Sequence, residues 1–180
     1  MTSLKIFHAH DADHPLWESN DFTIIQQKFK DLGVRFERWK TDHKLSATPS
    51  QKEVIDAYQH EIDQLVSEEG YQSWDVISIR PDAPEKEVLR EKFLQEHTHS
   101  DDEVRFFVEG VGLFSINLGE HVAQVVCEKN DLIAVPAGTL HWFDMGATPS
   151  FTAIRLFNHP DGWAANFTGN RIVDHFPKLN

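Results

Sequence analysis

The sequence is poor in cysteine and contains no long apolar run. Its single cysteine, Cys127, cannot form a disulfide within the chain, and its place in the run VAQVVC indicates a core residue and not a nucleophile. No stretch approaches the roughly 20 apolar residues of a membrane-spanning helix. The start MTSLKIFHAHDADH lacks the features of a secretion signal. We therefore expect a soluble, cytoplasmic protein without a membrane partner.

Basic residues are also scarce. Lys and Arg number 17 against 29 for Asp and Glu, which gives a formal net charge of −12. Such a charge repels phosphate backbones and anionic lipid surfaces, so we expect no nucleic acid partner, and we take a monomer as the simplest assembly. The same charge repels a small anionic substrate, which would need arginines placed at its own site.

The chain has no internal repeat or flexible linker, and its 180 residues fit one domain. In the first half, DFTIIQQKFKDL is typical of a helix capped by Asp21 and ended by Gly33. TPSQKEVIDAYQHEIDQLVSEEG predicts a second helix, because Ser50 and Glu53 have capping-box spacing and Gly70 supplies an end. LKIF, VRFERW and WDVISIRP are predicted strands.

The second half consists of short apolar segments separated by turn residues, which favours an antiparallel barrel or sandwich. The segments are EVRFFVEG, GLFSINLG, HVAQVVC, DLIAVPAG, HWFDM and SFTAIRLF. We expect a mainly β (α+β) fold, a jelly-roll barrel with the helices of the N-terminal half packed outside it. A single domain would then cover residues 1–180, with a mixed α/β part at 1–80, the barrel at 81–160 and a C-terminal tail at 161–180.

The segment EHTHSDDEVRFFVEG carries three candidate metal ligands. His97 and His99 lie two residues apart, so on a strand both imidazoles point the same way, roughly 6.6–6.8 Å apart. A bend at SDD can return the chain so that Glu103 adds an oxygen. A fourth ligand from a facing strand is His141 in PAGTLHW. We expect these four side chains to bind one divalent metal ion inside the barrel part.

Eleven histidines in 180 residues produce some close pairs by chance. His8 and His10 have the same spacing, but no glutamate follows at the corresponding offset, so we do not assign this pair to a metal site. The second pair is followed by Glu103, after six further residues by Gly110, and later by PAGTLH. That combination is much rarer than a bare HxH pair.

These motifs resemble those of the cupin superfamily, which run HxHxxxE, six residues, Gly, and later PxGxxH. The match covers roughly residues 97–145 and implies a double-stranded β-helix barrel. Three positions depart from the pattern: Glu91 and Asn130 stand where the superfamily has glycine, and Met145 replaces an asparagine. None of the three is a ligand, so the departures affect the predicted turns more than the metal site.

A closer resemblance, over most of residues 73–160, is to the acireductone dioxygenase family of the cupin superfamily. It rests on KFLQEHTHSDDEVRFFVEGVGLF, on EKNDLIAVPAGTLHWFDMG and on the strand FTAIRLF. The resemblance implies the metal ligands His97, His99, Glu103 and His141. It further implies a substrate pocket with Arg105 and Arg155 and with the apolar walls Phe93 and Phe143.

The strand pattern supports the arginine assignments independently. Arg105 lies two residues after Glu103, and Arg155 shares one strand face with Phe151, so both arginines are expected to face the barrel interior. A buried arginine needs a counter-charge, which is either a bound anion or a carboxylate of this acidic chain. Trp163, in HPDGWAANF after the barrel, either covers the pocket mouth or packs on the outside.

Three imidazoles and one carboxylate leave two positions of a six-coordinate ion open, and donors without thiolate favour Fe(II), Ni(II), Co(II) or Mn(II) over a structural zinc site. An enediol can chelate such an ion, whose Lewis acidity stabilises the deprotonated form. The family resemblance implies one Fe(II) or Ni(II) ion per chain. It also implies the substrate of methionine salvage, 1,2-dihydroxy-3-keto-5-methylthiopentene, which dioxygen cleaves.

The two metals imply different products. The iron form of the family gives formate and 4-methylthio-2-oxobutanoate, and the nickel form gives formate, carbon monoxide and 3-methylthiopropanoate. The types of ligand do not predict which of these metals is bound, because the metal supply of the cell determines the occupant of the site.

Two alternatives stay open. Another cupin metalloenzyme, such as a sugar-phosphate isomerase or a different enediol or diketone dioxygenase, would keep the barrel and the metal. Uptake of dioxygen with a model acireductone separates a dioxygenase from an isomerase. A non-catalytic cupin binding module would want an attached DNA-binding domain or a basic face, and the sequence contains neither.

Overall fold

A computed structural model describes all 180 residues, which form eleven strands, four α-helices and one short 3₁₀ turn. The strands are β1 (Ser3–His8), β2 (Asp11–Ser19), β3 (Arg35–Arg38), β4 (Ser73–Ile79), β5 (His97–Thr98), β6 (Glu103–Asn117), β7 (His121–Glu128), β8 (Asp131–Val135), β9 (Leu140–Asp144), β10 (Phe151–Phe157) and β11 (Asn166–Phe167). The helices are α1 (Phe22–Asp31), α2 (Gln51–Ala57), α3 (Gln59–Glu69) and α4 (Lys86–Phe93), and the 3₁₀ turn is Ile172–Asp174. None of the helices has the length and apolar character that crossing a membrane requires.

Strand β6 organises the barrel because it takes part in both of its sheets. Its first half pairs with β8 and β10 and its second half with β7 and β9, all antiparallel. Gly110 lies between the halves with a φ of +76°, and a Cβ there would lie 1.9 Å from the Ser150 carbonyl oxygen. Only glycine allows the backbone of Ser150 to come this close. The two strands predicted on either side of Gly110 are therefore one bent strand.

The strands of the first 80 residues extend the same two sheets. β1 pairs with β7 and β2, β3 pairs with β8, and β4 pairs with β10. Of the remaining short strands, β5 pairs with β9 and β11 pairs with β5. The predicted mainly β jelly-roll with helices of the N-terminal half outside it is confirmed.

The two faces of β6 carry different cores. Phe107 points into the barrel, where it joins an interior cluster that includes Ile133. Val104 and Phe106, of opposite parity, point outward into a second cluster with Tyr58 and the other apolar residues of α2 and α3. The five residues named here are each at most 1% exposed. Burial of a large apolar side chain contributes about 1.5–3 kcal/mol, so the outer helices are held on the sheet by this face.

The helix ends follow the predicted caps in part. The Asp21 carboxylate accepts hydrogen bonds from two backbone N–H groups in the first turn of α1. Ser50 accepts from the Glu53 N–H at 3.1 Å, but the Glu53 carboxylate bonds Ser46 and not Ser50, so the capping box is only half formed. The second predicted helix is wrong as a single element. It breaks at Tyr58, whose fully buried ring packs on the outer face of the sheet, and continues as α3.

Several elements were not predicted. β2 is polar and contains Pro15, β5 and β11 have two residues each, and α4 buries none of its residues. β2, β5 and β11 carry no apolar periodicity to detect, and the eight residues of α4 place only Leu89 and Phe93 at helical spacing against the core. Asn130, at a cupin glycine position, is the one non-glycine residue with a positive φ, +75°. Asparagine tolerates this left-handed conformation, so the turn survives the substitution.

Candidate metal centre

Four predicted ligands come together inside the barrel. His97 on β5 lies directly opposite His141 on β9, His99 follows β5, and Glu103 opens β6. One ligand nitrogen from each of the three histidines lies within 4.8 Å of the other two. All four residues are buried, with 2–8% of each exposed. The backbone N–H of Gly138 donates to the carbonyl of His99 at 2.9 Å, which holds the PAG turn against the histidine pair.

Backbone carbonyl groups orient all three imidazoles. The Nδ1 atoms of His97 and His141 lie 2.6 and 2.8 Å from the carbonyl oxygens of Gln95 and Thr139, each two residues away in the chain. The Nδ1 of His99 lies 2.9 Å from the carbonyl oxygen of Ala164, 65 residues away. A carbonyl only accepts, so each Nδ1 carries a proton, and the lone pair of each neutral imidazole is on Nε2. This orientation is the usual one for a metal-binding histidine.

The Glu103 carboxylate lies among these nitrogens. Its Oε2 is 2.8 Å from the Nε2 of His99 and 3.7 Å from that of His141, and its Oε1 is 2.5 Å from the Arg105 guanidinium. Burial alone would raise the pKa of Glu103, but the Arg105 charge and the neighbouring imidazoles of His141 and His99 hold that pKa well below its usual value. The group is therefore an anionic oxygen donor at neutral pH.

The histidines titrate differently from one another. Burial, followed by repulsion from His141, lowers the pKa of His97 to about 4. For His99, burial acts in the same direction, but the hydrogen bond and charge of Glu103 outweigh it and raise the pKa. His97 is thus neutral and free to bind a cation over the whole physiological pH range.

The donors fit a divalent transition metal. The Nε2 of His141 is buried and has no hydrogen-bond partner in the protein, and leaving such an atom without a ligand is costly. A metal ion would satisfy it together with the Nε2 atoms of His97 and His99. Three imidazole nitrogens and one carboxylate oxygen, with no thiolate, suit iron, nickel or cobalt.

A cavity of about 690 Å³ opens beside these residues. Its walls are mainly apolar, with charged groups confined to a few positions. It is lined by Asp75, Ile77, Leu89, Lys92, Phe93, His97, His99, Glu103, Arg105, Phe143, Phe151, Arg155, Trp163, Ala164, Ala165 and Phe167. No residue before Asp75 contributes, so the first 70 residues stay outside the site. A mostly apolar cleft with a few convergent polar groups is typical of a small-molecule site.

Both predicted arginines line the cavity, and each has a carboxylate partner. Arg105 contacts Glu103, and burial lowers the pKa of Arg105 to about 10, so it stays charged. Arg155 makes a bidentate pair with Asp75, with Nε 2.6 Å from one carboxylate oxygen. The two arginines are cross-strand neighbours. One buried guanidinium nitrogen of Arg105, Nη1, has no hydrogen-bond partner, which leaves a donor available to a ligand.

The three predicted apolar residues also line the cavity. The rings of Phe93 and Phe143 meet edge to face, with centroids 6.1 Å apart. Gly112 makes room for Phe143, because a Cβ there would lie 2.4 Å from that ring. Trp163 lies at the cavity wall with 54% of its surface exposed.

Sequence reasoning missed Asp75, Phe167 and the carbonyl of Ala164. Phe167 on β11 pairs with His97 and places its ring 5.7 Å from that imidazole. These groups come from segments whose partners are far away in the chain. The one available signal was the acidic residue in the predicted strand WDVISIRP, where an aspartate amid apolar residues indicates a partner in the interior.

Comparisons with known proteins agree with one another. The sequence model of a family described as the ARD/ARD′ family matches residues 4–165. The chain is 59% identical over 180 residues to an acireductone dioxygenase of Yersinia enterocolitica, with 100% of both chains covered. It is 60% identical over 179 residues to acireductone dioxygenase 2 of Pectobacterium atrosepticum, with 99% of both covered.

A solved structure is similar over nearly the whole chain. It is the acireductone dioxygenase from Bacillus anthracis with a cadmium ion in its active centre. The TM-score is 0.78 at 28% sequence identity, and the match covers 93% of this chain and 98% of that one. The fold described above is therefore one in which an active centre can hold a metal ion.

Proposed function

The chain belongs to the ARD/ARD′ family, the acireductone dioxygenases, and we propose that it binds one Fe(II) or Ni(II) ion through His97, His99, Glu103 and His141. The single observation that carries this proposal is the convergence of three Nε2 lone pairs, each fixed by a carbonyl group on the opposite ring nitrogen. Glu103 adds one negative charge to the donor set, which partly balances a divalent ion.

The substrate we propose is 1,2-dihydroxy-3-keto-5-methylthiopentene, whose neighbouring oxygens form an enediol. A divalent ion bound at the four ligands supplies Lewis acidity for those oxygens and redox chemistry with dioxygen. The Nη1 of Arg105, which has no hydrogen-bond partner in the protein, can donate a hydrogen bond to an anionic substrate oxygen. Since the protein carries a formal charge of −12, this local cation is needed to admit an enediolate.

The apolar walls hold the remainder of the substrate. Phe93, Phe143 and Trp163 present an apolar surface to the cavity, against which a methylthioalkyl chain can pack. These rings also keep water away from the reacting enediolate. Arg155, held by Asp75, adds a second positive group on the neighbouring strand.

The products depend on the metal. We propose that the iron form yields formate and 4-methylthio-2-oxobutanoate, as methionine salvage requires, and that the nickel form yields formate, carbon monoxide and 3-methylthiopropanoate. Nitrogen and oxygen donors accept either metal, and nickel binds such donors more tightly at equal supply. The choice of pathway is then set by the metal that the cell provides.

The test is anaerobic loading of the purified protein with Fe(II) or Ni(II), followed by addition of acireductone and dioxygen. We expect one dioxygen consumed for each substrate, the keto acid with iron, and carbon monoxide with nickel. Disappearance of the substrate without oxygen uptake would contradict the proposal, since an isomerase would give that result.

We also propose that residues 1–180 act as a single domain and a monomer. The pairing of β1, β3 and β4 with barrel strands supports the single domain. A cytoplasmic location is proposed as well, because the free and buried thiol of Cys127 is usual in a reducing compartment. Light scattering of the purified protein tests the assembly, and a mass of twice 20.7 kDa would overturn it.

A further inference from the structure

The carboxylate of Asp101, between β5 and β6, holds the loop that follows β10. It is 4% exposed and has no cationic partner among the lysines and arginines. Its Oδ2 accepts from the backbone N–H of His159 at 2.7 Å, and its Oδ1 accepts from the His159 Nδ1 at 2.8 Å. Gly162 lies against the same carboxylate, since a Cβ there would lie 2.1 Å from Oδ2. Asp101 therefore fixes residues 159–162 at two points.

This loop leads directly into the wall of the metal centre. The residue after Gly162 is Trp163, which lines the cavity. The next is Ala164, whose carbonyl oxygen receives the hydrogen bond from Nδ1 of His99 at 2.9 Å.

His99 differs from the other two histidines in this respect. The carbonyl groups that orient His97 and His141 lie two residues away, on the same turn of chain. The carbonyl for His99 lies 65 residues away, on a segment with little regular structure. The position of that segment therefore determines the orientation of the His99 imidazole toward the proposed metal ion.

We infer that Asp101 is a positioning residue for the metal site, acting through the 159–164 loop on the orientation of His99. The inference rests on the proposed metal binding. Removing an outer hydrogen-bond partner of a metal-ligating histidine typically costs 10- to 100-fold in metal affinity or activity. Asp101 does not contact His99 itself but holds the loop that carries the partner carbonyl of Ala164. We therefore expect a loss near the lower end of this range, about tenfold.

The experiment measures release of Ni(II) from the loaded protein into excess of a coloured chelator, for the parent and for Asp101→Asn. The asparagine keeps the volume but removes the negative charge and turns one acceptor into a donor, so the bonds to His159 are no longer charge-assisted. We expect release about tenfold faster than from the parent.

The matched control is Asp131→Asn. Asp131 is a fully buried aspartate that also accepts three hydrogen bonds, from Thr2, Arg38 and the Glu128 N–H, but it lies at the far end of β8 from Val135, the partner of Glu103. We expect this variant to lower the midpoint of thermal unfolding and to release Ni(II) at the parent rate.

Two further variants perturb the same contact without changing Asp101. His159→Ala removes the side-chain donor of an exposed residue and should speed release by less than Asp101→Asn does. Gly162→Ala forces the loop away from Oδ2, and combining it with Asp101→Asn should give no more than the larger single effect.

Release at the parent rate from both Asp101→Asn and His159→Ala would overturn the inference while leaving the metal site intact. Equally fast release from Asp131→Asn would also overturn it, because the effect would then reflect general destabilisation. A parent protein that takes up no Ni(II) would instead contradict the proposed function itself.

Discussion

The molecule contains two HxH pairs with the same spacing and different surroundings. His8 and His10 lie at an exposed hairpin end, with ring centroids 5.5 Å apart. His97 and His99 lie inside the barrel, with centroids 4.8 Å apart. The distances within the two pairs are close, so spacing alone does not separate a metal centre from a surface pair.

The difference lies in what each ring nitrogen contacts. The Nδ1 of His8 accepts a hydrogen bond from the backbone N–H of His10 at 3.3 Å, so no carbonyl group orients that ring. In the barrel, Nδ1 of each histidine donates to a carbonyl, and His141 and Glu103 approach from other strands. His121 on β7 also lies opposite His8, with ring centroids 5.9 Å apart. A partner from a distant strand is therefore not enough, and a ligand set also needs burial and rings oriented by carbonyl groups. Four substitutions or conditions can break or sharpen this comparison.

The largest effect is expected from His141→Ala. Loss of one of four ligands should weaken metal binding by more than the roughly 10- to 100-fold that an outer partner contributes, and turnover should fall below detection. Metal analysis and oxygen uptake measure both. A variant that keeps its metal and its full activity would remove His141 from the ligands.

Arg105→Met should separate metal binding from catalysis. Because Arg105 contacts Glu103 but offers no donor atom to a metal, we expect the metal content to stay at one per chain. Turnover should fall about 10²- to 10³-fold, as is typical when one preorganised donor to a developing charge is removed. Arg35→Met, in a surface ion-pair cluster, is the control and should leave turnover unchanged. Loss of metal from Arg105→Met would contradict its assignment to the substrate.

The pH dependence of the free energy of unfolding of the metal-free protein tests the buried pair His97 and His99. The pKa of His97 is about 4 in the folded protein and about 6.5 in an unfolded chain. A lowered pKa means that the contribution to stability is present above pH 6.5 and is lost as the pH falls toward 4, by about 3 kcal/mol. The raised pKa of His99 has the opposite effect. Its contribution to stability is present below pH 6.5 and is lost as the pH rises above that value.

Urea unfolding at a series of pH values measures this loss. The difference between the parent and His97→Asn isolates it from carboxylates that titrate at lower pH. If both proteins lose the same stability between pH 6.5 and 4, burial of a neutral His97 is not the cause.

The smallest effect is expected from replacing His8 and His10 together by alanine. Exposed substitutions of this kind usually change the free energy of unfolding by no more than about 0.5 kcal/mol. Metal content and turnover should equal those of the parent. Loss of the bound metal from this double variant would contradict the distinction between the two pairs.

The sequence predicts the barrel and the ligand candidates for physical reasons that are local. Short apolar segments between turn residues predict β7, β8 and β10, and the cap at Asp21 predicts the start of α1. The four ligand candidates follow from one motif and its partner turn. Each of these signals lies within a few residues of the feature that it predicts.

The rest depends on contacts between distant segments. The pairing of Arg155 with Asp75 requires the register of β10 on β4, and the carbonyl of Ala164 reaches His99 through the fold of the C-terminal segment. The break at Tyr58 follows from packing on the sheet and not from helix propensity. The apolar pattern of a strand predicts which of its faces is buried, but it does not identify the distant strand that pairs with it.

X-ray absorption at the metal edge of the iron- or nickel-loaded protein tests the central claim most directly, because it counts the imidazole ligands. We predict three imidazole nitrogens together with oxygen donors at about 2.0–2.2 Å and no sulfur, with the same spectrum after His8 and His10 are replaced. A spectrum with one imidazole or with a sulfur ligand would contradict the account.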